Sequence, residues 1–455
     1  MKRMIPSPTR LPSRRGVAAI CFLLLFAISA FAQPPQARVE TNGGTPSALR
    51  LAAANFKPSA TGSDALRTTF DTTLFNDLTN AGIFDMVSKS IAPPVTPGAP
   101  AEMNLGQWSS APVSAAMVAF GSLGATGGRL TVNGYLFDVK NTQFPQVFAR
   151  VYNEDASEDS ARQIAHRFAD EIISRLGGGI NGIAETKIYY VHAAGGAKEI
   201  WEMDYDGANQ HAVTHLGQIS LSPRVSPDNS RLAFTTLGND GFKVQMYSLL
   251  LGRVVAFPVG GGSTITPAWN PNGKELAYSA APNGDFDIWI ADLNGSLARK
   301  ITNFKGPDMS PVYNPRTGSQ LAWISGRTGL PQLYIMEADG SGVTRLTDSG
   351  YASAPSWSPN GQFLTFGWNR KYGPGAPGGQ DIYVMQVANK NWIQLTHDTG
   401  QCDFPSWSPD GRHIVFASSP DGRVEHSRIY TMLVDGTDRK ALTGPGNDMP
   451  NWSWK

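Results

Sequence analysis

Between residues 48 and 180 the apolar positions switch between a period of two and a period of three to four. Residues 49–56 (LRLAAANF) predict a strand. Residues 63–78 predict a helix, with Leu66, Phe70, Leu74 and Leu78 one turn apart and Ser63 as N-cap. Residues 83–87 predict a short strand and the proline-rich 91–101 a surface connector. The apolar run 113–120 lacks a clear period and is read as a helix running into a strand. Residues 129–139 and 146–152 predict neighbouring strands. Residues 157–176 predict an amphipathic helix capped by Ser157, with Ala161, Ile164, Phe168, Ile172 and Leu176 on one face and a stop at Gly177, Gly178 and Gly179. Strands mixed with two long helices predict a small α/β domain over 48–180.

From residue 181 the pattern becomes a repeat. Pro405-Ser406-Trp407-Ser408-Pro409-Asp410-Gly411 has close copies from Pro267 and Pro355, looser ones from Pro223 and Pro311, and a last one at Pro450. The spacings of these prolines are 44, 44, 44, 50 and 45 residues, a period that suits a four-stranded propeller blade. Each unit reads as a Pro-x-aromatic strand, a Ser/Asn-Pro-Asp/Asn-Gly turn, two further strands and a short strand ending near Leu-Thr. Residues 187–214 supply strands two to four without a first, and residues 450–454 a first strand alone. Joined, these fragments predict an all-β six-bladed propeller over 181–455, closed by the C-terminal strand. The loops before strand one and between strands two and three vary most, above all 369–380, and are expected to open on one face.

Residues 1–32 read as a signal peptide: Lys2, Arg3, Arg10, Arg14 and Arg15 precede an uncharged run over 17–32 that ends Ala30-Phe31-Ala32. Sixteen residues are short for a membrane span of about 20. A polar segment, 33–47, follows. Export by the general or, through Arg14-Arg15, the twin-arginine route fits this start. Cleavage takes five basic and no acidic residues from 38 Lys+Arg and 37 Asp+Glu, leaving 33 against 37, a net charge of −4. That balance points away from nucleic acid and anionic membranes. Cys402 alone remains of the two cysteines, so no internal disulfide forms.

No catalytic constellation emerges. His211 and His215 are four apart but lack the intervening Glu of a zinc helix. His166 lies in a helix pattern without a nucleophile and fits a buried or interdomain hydrogen bond better than chemistry. Asp204 and Asp206 lack the remaining ligands of a calcium loop and suit a turn. Trp269, Tyr313, Trp357, Trp407 and Trp452 read as packing between blades. A propeller hydrolase would need a Gly-x-Ser-x-Gly elbow in a large α/β domain, and neither is present. A propeller binding a small ligand or peptidoglycan fragment remains an alternative.

The chain resembles the TolB family. The resemblance is carried by Arg162-x-x-x-His166-x-x-Ala169-Asp170, by Thr186-Lys187-Ile188-Tyr189-Tyr190-Val191 and by Met203-Asp204-Tyr205-Asp206-Gly207-Ala208-Asn209. It implies a non-enzymatic periplasmic scaffold of the Tol-Pal system, monomeric and without cofactor or metal, serving outer-membrane integrity and constriction at division. It implies that the lipoprotein Pal binds at the propeller mouth. By position the mouth comprises the residues before the leading prolines: Thr264, Thr266, Met309, Ser310, Ala354, Asp403, Phe404, Asp448 and Met449. These are expected in converging loops, where apolar Phe404 and Met449 beside polar neighbours suit a partner. The resemblance also implies TolA binding by Ala37, Arg38, Val39, Glu40 and Thr41, although Val39 is the only strong β-branched residue there.

N-terminal sequencing of the exported protein is expected to begin at Gln33, the residue after the Ala-x-Ala site. Recovery of Met1 on the exported chain refutes the signal assignment.

Overall fold

The computed structural model describes residues 48–258, 262–295, 298–369, 379–397 and 399–454. The N-terminal domain is built on one sheet, in the order Phe84–Met86, Leu49–Ala53, Met117–Thr126, Arg129–Asp138, Gln146–Asp155, with Lys57–Pro58 paired alongside Met117–Thr126. Helices α1 (Asp64–Asn80) and α3 (Glu158–Leu176) cover one face, where Phe70, Leu74, Ile164 and Phe168 meet Leu123, Val132 and Leu136. The short helix α2 (Leu105–Ser109) brings Trp108 to the other face, against Val118, Phe120 and Phe137.

Two local expectations fail, each for a tertiary reason. No helix forms over 113–116, ahead of the strand that starts at residue 117. The run 113–120 is apolar throughout because its strand is covered on both faces: Ala119 and Leu123 face α1 and α3, Val118 and Phe120 the other core. Ser63 precedes α1 but makes no side-chain cap; its hydroxyl instead accepts the Ala125 N–H at 2.9 Å. Ser157 does cap α3, accepting the Ser160 N–H at 3.0 Å.

The rest of the described chain is antiparallel sheet. Four four-stranded sheets have innermost strands Ser263–Trp269, Asp308–Tyr313, Tyr351–Trp357 and Gln401–Trp407. An eight-stranded sheet joins the set from Ile219–Val225 outward to the set Asn447–Trp452, Lys187–Ala194, Ala197–Asp204 and His211–Ala212. The two sets meet at one position only, Ile219 beside Lys198. The C-terminal strand Asn447–Trp452 pairs antiparallel with Lys187–Ala194, Trp452 opposite Ile188. Hydrophobic clusters flank this composite set on both sides: Trp452, Ile188 and Met203 pack against Val415 and Ile429, and Tyr189 and Val191 against Leu232 and Phe234.

Two sequence signatures gain a physical reason here. The threonine that closes five of the six outer strands places its hydroxyl on a backbone N–H of the third strand: Thr214 on Ile200, Thr302 on Ile288, Thr347 on Leu333, Thr396 on Ile382 and Thr443 on Ile429, all at 2.9–3.0 Å. The tryptophans reach back across the gap between sheets, Trp269 Nε1 donating to the Arg224 carbonyl at 2.8 Å and Trp357 Nε1 to that of Val312 at 3.2 Å.

One face of α3 fastens the two domains together. Asp77 of α1, buried, accepts from Tyr205 Oη at 2.7 Å and from His166 Nδ1 at 2.8 Å. Arg162 reaches Asp206 at 2.9 Å and Asp204 at 3.4 Å. One turn past His166, Asp170 accepts the Ala184 and Glu185 N–H groups of the linker at 2.9 and 3.1 Å. His166 is thus a buried interdomain group. Asp204 and Asp206 sit at a turn and also take the charge of Arg162. A second fastening comes from the short turn at residue 411: Arg412 Nη2 donates to the Gly82 carbonyl at 2.9 Å, and His413 Nε2 lies 2.9 Å from the Asn80 carbonyl.

Two measurements test this framework. Trp452→Ala removes a side chain that is 4% exposed and bonded through Nε1 to Thr186 at 2.8 Å; it is expected to cost about 3–5 kcal/mol in denaturant unfolding. A cost below about 1 kcal/mol would count against the C-terminal strand as a core element.

His413 gives a pH dependence. Both its ring nitrogens face acceptors, Asp410 at 3.0 Å and the Asn80 carbonyl at 2.9 Å, a set that suits the doubly protonated ring. Burial works against that charge, but the Asp410 carboxylate overcomes it and holds the pKa above its ordinary 6.5 even with Arg412 adjacent. The contribution to stability is therefore full below 6.5 and lost as pH rises through the raised value. His413→Gln is expected to destabilise by about 1.5–3 kcal/mol at acidic to neutral pH, and less in alkaline buffer. Melting curves showing the same gap at all pH values would refute the charged state.

Candidate functional site

The site is built from the proline-centred inner strands. In all six, pairing with the next strand skips across the proline, as between Ile265/Ser279 and Ala268/Ala277, so two residues oppose one. The residue before each proline is left-handed although none is glycine: Ser222, Thr266, Ser310, Ala354, Phe404 and Met449 have φ between 42° and 54°. Each such conformation costs about 1–2 kcal/mol. Local acceptors hold it. The Phe404 N–H donates to Asp403 Oδ1 at 2.8 Å, Met449 N–H to Asp448 Oδ1 at 2.9 Å and Ser310 N–H to Thr266 Oγ1 at 3.2 Å.

This bulge sorts the side chains. Three residues before the proline, Ser220, Thr264, Asp308, Ala352, Cys402 and Asn447 are all buried inside the sheets. Two before it stand Leu221, Ile265, Met309, Ser353, Asp403 and Asp448, of which only Asp448, at 8%, is classed as buried. The expected residues therefore lie in inner strands and not in loop tips: a bulge, not a loop, carries them.

Thr264 leaves the set. It is fully buried, and its hydroxyl accepts the Val244 N–H at 2.8 Å. Val244 needs that oxygen because Pro258 stands where the other repeats place a threonine, fourteen residues after the third-strand N–H. Thr266, Met309, Ser310, Ala354, Asp403, Phe404 and Met449 are half-buried. Ile265, Leu221 and Ser353 were missed in the sequence, although counting back two from every proline finds them.

The N-terminal domain contacts the other end of these strands, through residues 204–206, 412 and 413, where the short turns lie. Because strands alternate in direction, the starts of the inner strands and the longer loops lie at the opposite end. That end is acidic and partly apolar. Burial raises the pKa of Asp403 despite hydrogen bonds from Ser353, Phe404 N–H and Gln380. Burial, with the neighbouring charge of Asp403, lifts Asp448 to about 6, against the opposing pull of the Met449 N–H and Lys198. In the same loops Arg327 pairs with buried Asp308 at 3.0 Å and lies over the ring of Phe304, which is 54% exposed beside Leu330 at 40%.

Among the described residues no group of three or more His, Cys, Asp or Glu side chains is placed to hold a metal ion. His211 is exposed and hydrogen-bonds the Asn209 carbonyl through Nδ1 at 2.9 Å. Residues 37–41 and 370–378 lie outside the described residues.

Comparison with known proteins gives a consistent family. A profile described as the TolB beta propeller domain matches residues 175–371 and 347–455, and one for the TolB amino-terminal domain matches 37–144. A protein named Tol-Pal system protein TolB from Gluconobacter oxydans is 30% identical over 418 residues, covering 80% of this chain and 88% of that one. Two TolB homologues are matched over less of their length. One from Chlorobium luteolum is 31% identical over 301 residues, 65% of this chain and 66% of its own. One from Chlorobium chlorochromatii is 31% identical over 215 residues, 47% of each. The crystal structure of TolB from Acinetobacter baumannii shares the fold, with a TM-score of 0.72 at 23% identity over 90% of this chain and 97% of that one. With propeller and amino-terminal profiles together spanning most of its length, the chain belongs to the TolB family.

Proposed function

We propose that this protein is a non-enzymatic component of the Tol-Pal system, working in the periplasm after loss of residues 1–32. In this reading residues 48–180 form one domain and residues 181–455 a six-bladed ring, which the C-terminal strand closes. The pairing of Asn447–Trp452 with Lys187–Ala194, and the hydrophobic clusters on both sides of that set, support the closure. Pal docks on the end of the ring away from the N-terminal domain, and residues 37–41 engage TolA. Through these contacts the protein supports outer-membrane integrity and envelope constriction.

The observation that carries the Pal site is the bulge. It presents a ring of residues two before each proline, apolar at Leu221, Ile265 and Met309 and polar at Ser353, Asp403 and Asp448, on strands too rigid to rearrange. A concave apolar centre with a few fixed polar groups is what a partner's anchor residues need. Asp403 and Asp448 supply the charge that would select a donor-rich surface on Pal.

Met309→Ala combined with Asp403→Asn tests the site. The asparagine keeps the acceptor for the Phe404 N–H, so the fold is expected to survive. Affinity for Pal, measured by calorimetry, is expected to fall about tenfold or more, the scale of one lost anchor. Unchanged affinity in a folded double variant places Pal elsewhere. Deleting residues 33–41 is expected to abolish TolA capture and leave Pal binding intact.

A further inference from the structure

The opposite end of the channel holds a second site. A cavity of about 350 Å³ opens there, lined by Trp269, Trp357, Phe404, Trp407, Trp454 and Arg224. Arg224 follows Pro223 directly. The residues at this position in the other strands are Ala268, Val312, Ser356, Ser406 and Asn451, so Arg224 is the only charge in the ring.

The polar members of that ring have structural work. Ser356 Oγ accepts the Trp407 N–H at 3.4 Å, Ser406 Oγ the Trp452 N–H at 3.1 Å, and Asn451 Oδ1 the Val225 N–H at 3.1 Å. Each ties its strand to the next. Arg224 has no acceptor atom and cannot do this. Its guanidinium donates to the Pro223 carbonyl at 2.7 Å, and no carboxylate among the described residues forms an ion pair with it. Burial holds its pKa down to about 10, with no neighbouring charge to offset that. Two other half-buried arginines, Arg162 and Arg327, have aspartate partners.

A lone desolvated cation is costly, and a planar guanidinium with unused donors matches a carboxylate in a two-point fork. Tryptophans and prolines line it, a surface suited to a flat apolar body. We infer that this cavity binds a small molecule bearing one carboxylate on a flat apolar body, with the carboxylate on Arg224 and the body against the tryptophans. Asn181 of the linker lines the cavity and also an adjoining cleft of about 200 Å³ between residues 179–181 and the turns 358–360 and 409–411, which gives the ligand a way in.

The test uses the mature chain with indole-3-acetate as probe, indole-3-acetamide and acetate as controls, and calorimetry as readout. Indole-3-acetate is expected to bind in the micromolar to millimolar range. The amide, lacking the charge, and acetate, lacking the body, are each expected to bind at least tenfold more weakly. Arg224→Gln is expected to lose at least tenfold in affinity with an unchanged or higher Tm, since it removes a charge that has no carboxylate partner among the described residues. No binding of the acid, equal binding of the amide, or equal binding by the variant overturns the proposal. So does a Tm fall of several degrees in Arg224→Gln, which would make the arginine structural. The Met309→Ala, Asp403→Asn variant should bind the probe normally, because neither residue lines the cavity.

Discussion

The channel depends on one backbone constraint, a left-handed residue locked in front of a proline in every innermost strand. A regular strand would alternate its side chains between channel and core without interruption. The two-for-one bulge breaks that alternation, so that the residue one after each proline lines the channel cavity, and the residues two before it, all but Asp448, stay partly exposed. The residues three before are left to the buried spaces between sheets, as Thr264 is, while the aromatics two after are largely buried there and still line the cavity, as at Trp269, Trp357 and Trp452. The paired strands around it hold this arrangement against its conformational cost, helped by an acceptor for the N–H at Thr266, Ser310, Phe404 and Met449.

The same sorting makes the two ends of the channel chemically different. At one end the inner strands begin, and the charge of Asp403 adds to burial in raising the cost of ionising Asp448. At the other the strands finish in indoles and prolines around Arg224. The N-terminal domain covers part of the second end. It is held by the face of α3 on which Arg162, His166 and Asp170 follow one another a turn apart. That face spends its charges on the propeller hairpin and the linker, which is why a motif rich in titratable groups has no nucleophile and needs none.

Much of this was legible in the chain itself. The spacing of the prolines predicted the repeat, and the split fragments at 187–214 and 450–454 predicted their own pairing, because a sheet set lacking one strand exposes an unpaired edge. Helix α3 was plain from its period and its Ser157 cap, since both are local. Where the reading failed, non-local contact decided. The run 113–120 looked helical because burial on both faces erases the strand period, and Ser63 gave up its cap for a backbone amide sixty-two residues away.

The sequence by itself determined the repeat, its strand order and the family motif, all of which rest on local pattern and period. Only the tertiary structure decided which side chains reach the channel. The left-handed φ at Thr266 or Phe404 is invisible in residues that rarely adopt it, and it reverses the inward and outward reading of everything before the proline. Thr264 shows the same limit. Its hydrogen bond to the Val244 N–H answers Pro258, which leaves a missing oxygen that another strand must supply. The isolation of Arg224 is likewise a property of the assembled sheets, because a charge is unpaired only with respect to everything packed around it.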